Sequence, residues 1–194
     1  GTHIEFEGEK LFELLLTKAQ IEHILTVLRK HQIPMVLEGP NYIYVDEKDF
    51  KDDPYVIYLR NELGENLKSI TGTAQYEVNK LSAELGNADV ELVRKELGTE
   101  FDMIVHEPDG ILEIGQAGHS KASGIERLCA SLGIAKEDTY AFGDSANDVE
   151  MLEFVAHGIA MGNGTDVAKN AAEFVTTDIH KDGIWNGLKH YGLI

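Results

Sequence analysis

Between Thr17 and about Gly115, apolar residues at helical spacing are followed by pairs of short apolar runs. One helix face consists of Ile21, Ile24, Leu25 and Leu28. This spacing of three and four residues predicts an amphipathic helix. Two strands are predicted after it, at 34–38 and 42–47, and the turn residues Gly39-Pro40-Asn41 join them in a hairpin.

The same pattern occurs a second time further along the chain. The second helix face consists of Val90, Val93 and Leu97. Strands are predicted at 101–106 and 110–114, joined by a turn at Glu107-Pro108-Asp109-Gly110. Between the two copies, 55–63 is predicted to be helical, and 76–81 fits either a strand or a helix. The repeat predicts an antiparallel sheet with helices on one face.

From Lys121 onward, short helices and strands alternate. In order, these are a helix with Ile125, Leu128, Cys129 and Leu132 on its apolar face, a strand at 140–142, a helix with Val149, Leu152 and Ala156, a strand at 159–161, a helix at 167–172, a strand at 174–175 and a helix from about 185 to 191. Such alternation is typical of right-handed βαβ units and a parallel sheet. The sequence therefore predicts an α/β protein whose C-terminal part is a parallel, Rossmann-like sheet.

Composition narrows the classes of partner. The chain of 194 residues carries 34 acidic and 17 basic side chains, a net charge of -17, and this charge repels nucleic acid and anionic membranes. The single cysteine, Cys129, excludes an internal disulfide and fits a reducing, cytoplasmic environment. No segment reaches the length of a membrane span, and no signal peptide is visible in a chain that starts at Gly1. A monomer or a homodimer is expected.

A polar cluster follows the predicted strand at 140–142. Asp144 comes directly after Gly143, and Ser145 is placed to cap a helix with Asn147 and Asp148 in its first turn. Open α/β sheets bind ligands at the carboxyl ends of their strands. Oxygen donors there suit Mg²⁺, and N–H groups at a helix start suit a phosphate. An ordinary helix cap is an equally good interpretation of this segment alone.

The order of motifs resembles that of a known family. Gly143-Asp-Ser-Ala-Asn-Asp148 resembles the fourth motif of the haloacid dehalogenase-like phosphatases. Residues 160–172, Phe174-Val-Thr-Thr and Asp182-Gly-Ile184 resemble the closing segment of their Cof-type branch, and Gly118-His-Ser-Lys121 matches the position of the motif lysine. The resemblance covers essentially the whole chain. It implies a core segment at 1–16, an inserted α+β cap domain at 17–115 and the C-terminal part of the core at 116–194.

The resemblance also implies roles for individual residues. Asp144 is expected to bind Mg²⁺, and Asp148 to support the metal site. Lys121 and Asn147 are expected to hold the phosphate of a small-molecule substrate. Ser145 is expected near the site. Asn163 is expected there too, although a turn-forming Asn-Gly explains Asn163 nearly as well.

One departure from the family pattern concerns the nucleophile. The family uses the first Asp of an Asp-x-Asp-Gly motif, and no Asp-x-Asp occurs in these 194 residues. Asp52-Asp53 and Asp109-Gly110 have the wrong spacing. We therefore expect the nucleophile upstream of Gly1, in a segment that this chain lacks. The expected function is that of a Mg²⁺-dependent phosphatase acting through an aspartyl-phosphate. The alternatives are a non-catalytic phosphometabolite-binding protein and a sugar-phosphate phosphatase or phosphomutase of the same superfamily.

Overall fold

The computed structural model describes residues 1–70, 76–106 and 110–194, except the side chains of residues 48 and 49. The chain forms two compact units. The inserted unit runs from Glu13 to Gly118, and the flanking unit combines Gly1–Phe12 with His119–Ile194. Among the described residues, no helix has the length and apolarity that crossing a bilayer requires.

Eight helices and eleven strands are described. The helices are α1 (Lys18–Lys30), α2 (Glu47–Phe50), α3 (Pro54–Leu63), α4 (Val90–Leu97), α5 (Lys121–Leu132), α6 (Val149–Phe154), α7 (Asp166–Ala171) and α8 (Gly183–His190). The strands are β1 (His3–Phe6), β2 (Glu9–Glu13), β3 (Met35–Glu38), β4 (Ile43–Val45), β5 (Leu67–Ser69), β6 (Lys80–Glu84), β7 (Phe101–His106), β8 (Ile111–Gln116), β9 (Tyr140–Gly143), β10 (His157–Ala160) and β11 (Phe174–Val175).

The inserted unit contains a six-stranded sheet in the order β5-β4-β3-β6-β8-β7. All neighbours are antiparallel except β4 and β5, which run parallel. The two helix–strand–strand copies predicted from the sequence are present. The predicted turn at 107–110 lies, apart from Gly110, outside the described residues. Within 76–81, strand structure begins only at Lys80.

The prediction that the helices share one face of this sheet is wrong for α3. Helices α1 and α4 pack on the face that carries Met35 and Leu37, where the larger apolar core lies. Val56 of α3 instead packs against Val36 and Val45, which form a second cluster. Successive side chains of a strand point to opposite faces, so Val36 lies on the face opposite to its two neighbours. Both faces of this edge of the sheet are therefore buried.

The flanking unit contains the β1–β2 pair and a three-stranded parallel sheet in the order β11-β10-β9. The parallel sheet confirms the predicted α/β class. Glu7 and Gly8 both have positive φ, 52° and 80°, as a tight two-residue hairpin turn requires. Within the described residues, β9 pairs only with β10, so its other edge is open.

The apolar face predicted for α5 is less buried than its spacing suggested. The helix is present, but its buried residues are Ala122 and Gly124, and Leu132 is 36% exposed. A Cβ on Gly124 would lie 3.1 Å from the Cα of Gly1, so the N-terminal segment packs directly on the helix backbone. Among the described elements, α5 packs against α6 and β1, and its apolar residues Ile125, Leu128 and Cys129 are only partly buried.

Candidate active site

The predicted site residues of the flanking unit come together at the carboxyl end of β9. Asp144 follows the strand directly, and residues 146–148 form a single 3₁₀ turn before α6. A Cβ at Gly143 would lie 2.6 Å from the Cβ of Asp148. The turn folds back this tightly on the strand end because position 143 has no side chain.

Lys121 reaches this turn from a different element. It is the first residue of α5, and Ser120 caps that helix. Its Nζ lies 2.5 Å from Oδ1 of Asp148 and 3.3 Å from Oδ1 of Asn147. The Lys121 side chain is 46% exposed, so part of the ammonium group faces solvent. A cation and a polar amide are thus held side by side.

The carboxylate of Asp148 is buried and fully engaged. Its Oδ1 accepts from Lys121, and its Oδ2 accepts from the backbone N–H groups of Asp144 at 2.9 Å and Ser145 at 3.2 Å. Burial acts to raise the pKa of Asp148. The hydrogen bonds from Lys121 and from the two N–H groups outweigh that effect and hold the pKa below its ordinary value. Asp148 therefore stays ionised and orders both the lysine and the turn.

Asp144 differs from Asp148 in that its side chain is exposed. Within the described residues its carboxylate makes no hydrogen bond, whereas its carbonyl oxygen accepts from Thr165 N–H at 2.8 Å and from Thr165 Oγ1 at 3.3 Å. A Cβ at Gly164 would lie 3.0 Å from the Cα of Asp144. The backbone of Asp144 is therefore fixed by hydrogen bonds and close packing, while its carboxylate is available to a ligand.

The carboxylates of Asp144 and Asp148 suit Mg²⁺ better than a metal ion whose ligands are all protein side chains. Among the described residues, no group of three or more His, Cys, Asp or Glu side chains is placed to hold a metal ion. Mg²⁺ is commonly bound through one or two carboxylates, with water and substrate phosphate as the other ligands. Asp144 is the carboxylate suited to direct contact, because both oxygens of Asp148 already accept hydrogen bonds.

The two site-adjacent predictions have different surroundings. Ser145 Oγ donates to Asn147 Oδ1 at 2.7 Å, within the cluster. Asn163 lies in the loop after β10, where its Oδ1 accepts from the N–H of Ile179 at 2.9 Å. That bond ties together two loops of the flanking unit. Thr165 was missed from the sequence, although a Thr ahead of a helix is a recognisable cap signal.

Comparison with known proteins identifies the family. A family model described as haloacid dehalogenase-like hydrolase matches residues 1–188. The chain belongs to the haloacid dehalogenase-like hydrolase family. The resemblance that the motifs indicated is thereby confirmed.

Two curated relatives of this chain are named as phosphatases. The chain is 36% identical over 138 residues to the 5-amino-6-(5-phospho-D-ribitylamino)uracil phosphatase YitU of Bacillus subtilis, and the match covers 69% of this chain and 47% of YitU. It is 30% identical over 172 residues to a phosphoglycolate phosphatase of Halobacterium salinarum, covering 78% and 76% of the two chains. The match thus spans about half the length of YitU.

Solved structures agree on the fold. A hypothetical protein of Geobacillus kaustophilus is 31% identical with a TM-score of 0.79, and the match covers 100% of this chain and 75% of that one. A HAD subclass IIB sugar phosphatase, BT4131, has a TM-score of 0.82 at 22% identity, covering 100% and 74%. At that identity the second comparison shows the fold alone.

Proposed function

We propose that this chain is part of a Mg²⁺-dependent phosphatase that hydrolyses small phosphate monoesters. It would contribute the residues that bind the phosphate and the metal ion. The proposal rests on the contacts of Lys121 with Asn147 and Asp148, next to an Asp144 whose carboxylate has no partner within the described part of the chain. The family assignment and the phosphatase relatives support the same activity. The two relatives are named for different phosphate esters, so the proposal extends to the monoester class and no further.

In the proposed site, Lys121 and Asn147 bind phosphate oxygens, and Asp148 keeps the lysine in place. Asp144 would hold Mg²⁺, with Asp148 beside it, and the ion would supply positive charge to the phosphate during transfer. The formal charges of Lys121, Asp144 and Asp148 sum to one negative charge. A dianionic phosphate therefore needs a cation beyond Lys121, which supports a divalent metal as part of the site.

We further propose that the inserted unit is the cap domain and that it sets preference among phosphate esters. The nucleophilic Asp, which would form the aspartyl-phosphate, is proposed to lie upstream of Gly1. The open edge of β9 supports this placement, because strands of a parallel sheet are normally paired and covered on both faces. Tyr140, the first residue of β9, is 37% exposed.

One experiment uses a form of the protein that includes the proposed upstream Asp-x-Asp segment. Asp144→Asn should abolish Mg²⁺-dependent hydrolysis of an aryl phosphate, because an amide cannot replace a carboxylate ligand. Asp138→Asn is the matched control: Asp138 is an exposed acid in the turn before β9, so turnover should be unchanged. Full activity of Asp144→Asn at saturating Mg²⁺ would remove Asp144 from the site.

The chain of 194 residues should have no phosphatase activity by itself, since it contains no Asp-x-Asp. Mg²⁺-dependent turnover by the pure chain would show that the nucleophile has been misplaced. The same absence favours a second candidate, a binding protein that recognises phosphometabolites through Lys121 and Asn147 without hydrolysing them. An upstream sequence without Asp-x-Asp would support the binding protein over the enzyme.

A further inference from the structure

The side-chain amide of Asn147 is held at its oxygen by two donors. Ser145 Oγ lies 2.7 Å from Asn147 Oδ1, and Lys121 Nζ lies 3.3 Å from the same atom. An ammonium group has donors and no acceptor, so the atom facing it must be the carbonyl oxygen of the amide. Because a carbonyl oxygen can only accept, the hydroxyl of Ser145 must be the donor in its hydrogen bond to Asn147 Oδ1.

This orientation leaves the NH₂ group of Asn147 available. Within the described residues, Nδ2 of Asn147 has no hydrogen-bond partner, and the side chain is half-buried. An amide turned the other way would direct NH₂ at two donors and present a carbonyl oxygen outward. That reversed amide would repel an anionic ligand, whereas the observed one donates to it.

Ser145 is better placed than Lys121 to hold this orientation. The ammonium of Lys121 is 0.8 Å closer to Asp148 (2.5 Å) than to Asn147 (3.3 Å). Ser145 makes the shorter bond to Asn147, and its own backbone N–H is anchored to Oδ2 of Asp148. The hydroxyl therefore remains a fixed donor even where the ammonium turns toward a bound anion.

We propose that Ser145 is a positioning residue that fixes the amide of Asn147 with its NH₂ directed at a phosphoryl oxygen. The inference rests on the proposed function for the identity of the ligand, a phosphate monoester or inorganic phosphate. The orientation of the amide stands on the contacts of Lys121 and Ser145 alone. Ser145 touches no ligand in this arrangement and acts through Asn147.

The orientation is tested in the chain without ligand, by neutron diffraction from deuterated crystals. The expected result is a deuterated NH₂ of Asn147 pointing away from Ser145 and Lys121. In Ser145→Ala only the longer contact with Lys121 remains, so the reversed orientation should appear in part of the molecules, and in Ser145→Thr it should disappear. An NH₂ group facing Ser145 in the unmodified chain would overturn the inference.

Binding of inorganic phosphate, measured by titration calorimetry with Mg²⁺ present, tests the consequence. Ser145→Ala should weaken binding by about two- to tenfold, because the NH₂ of Asn147 would face the phosphate in only part of the molecules. Ser145→Thr should restore the affinity of the unmodified chain, because the hydroxyl is kept. The matched control is Ser131→Ala, whose exposed hydroxyl donates only to the carbonyl of Arg127.

The outcomes separate the two proposals. Unchanged phosphate affinity in Ser145→Ala would overturn the positioning role, as would a Thr variant as weak as the Ala variant. If the unmodified chain binds no phosphate while the neutron structure shows the expected amide, the proposed function fails and the orientation stands. Ser145→Gly, a tolerated helix cap without a hydroxyl, should match Ser145→Ala in affinity and so excludes lost capping as the cause.

Discussion

Asp148→Asn tests the centre of the candidate site, because the variant preserves shape and removes one acceptor. The native carboxylate accepts from Lys121 on one oxygen and from the N–H groups of Asp144 and Ser145 on the other. The single carbonyl oxygen of an asparagine can accept either from Lys121 or from the two backbone N–H groups, but not from both. Its NH₂ must face either the ammonium or the two backbone N–H groups, and both are donors.

The expected loss of stability follows from those contacts. A hydrogen bond to a charged group contributes about 1.5–3 kcal/mol, and partial exposure of Lys121 places its bond at about 1.5 kcal/mol. The misdirected amide adds about 1 kcal/mol for the donors that it leaves unmet. Asp148→Asn should therefore lower the free energy of unfolding of the flanking unit by about 2–3 kcal/mol.

The chain's single tryptophan provides a local probe for this measurement. Trp185 lies on α8, in the flanking unit, so its fluorescence during urea unfolding reports that unit. Chelator is included so that no metal contributes. Asp144→Asn is the matched control, and because its carboxylate has no partner among the described residues, its stability should stay within about 0.5 kcal/mol of the native value. A loss in Asp144→Asn equal to that in Asp148→Asn would refute the reasoning.

Two predictions concern the inserted unit. Burial, with smaller contributions from Glu38 and Glu84, raises the pKa of Tyr55 from 10.0 to about 12. The stability that neutral Tyr55 contributes is therefore complete below pH 10 and is lost as the pH rises toward 12. Tyr55→Phe should reduce alkaline destabilisation in that window, as followed by unfolding at a series of pH values, and an unchanged pH profile would contradict this. Arg29 Nε lies 2.6 Å from Oδ2 of the fully buried Asp46, so Arg29→Met should cost about 3–5 kcal/mol by stranding that carboxylate. Urea unfolding checks the cost, and a loss below about 1 kcal/mol would show that Asp46 is satisfied without the arginine.

The sequence suggested candidate site residues but did not predict the interactions among them. Lys121 and the segment 144–148 are recognisable from motif order and from their positions at a helix start and a strand end. The direct contact between Lys121 and Asp148 is not, because it joins residues 27 positions apart and depends on the direction of two side chains. The contact of Thr165 with the carbonyl of Asp144 depends likewise on how two loops pack.

For secondary structure, too, the sequence predicted individual elements better than the way they pack. Helical spacing predicted α1 and α4 because one apolar face of each is buried against a sheet. The spacing did not predict that α3 packs on the other face of the sheet. That packing depends on the direction of the Val36 side chain, which is set by the pairing of β3 with its neighbouring strands. The β1–β2 hairpin was also missed, because its turn is Glu7-Gly8 and Asn or Asp, the usual first residue, is absent.

Charge explains why these contacts matter for binding. In a chain with a net charge of -17, a lysine paired with a buried carboxylate adds no net positive charge to its surroundings. In the proposed site Lys121 would therefore act mainly as a hydrogen-bond donor, and Asn147 would add a second donor whose direction is set by its neighbours. In the proposed site, attraction for a phosphate would come from a further cation, and the carboxylate of Asp144, which has no partner among the described residues, would hold it. The proposed site would thus obtain the orientation of the phosphate from its hydrogen bonds and charge compensation from a divalent metal at Asp144.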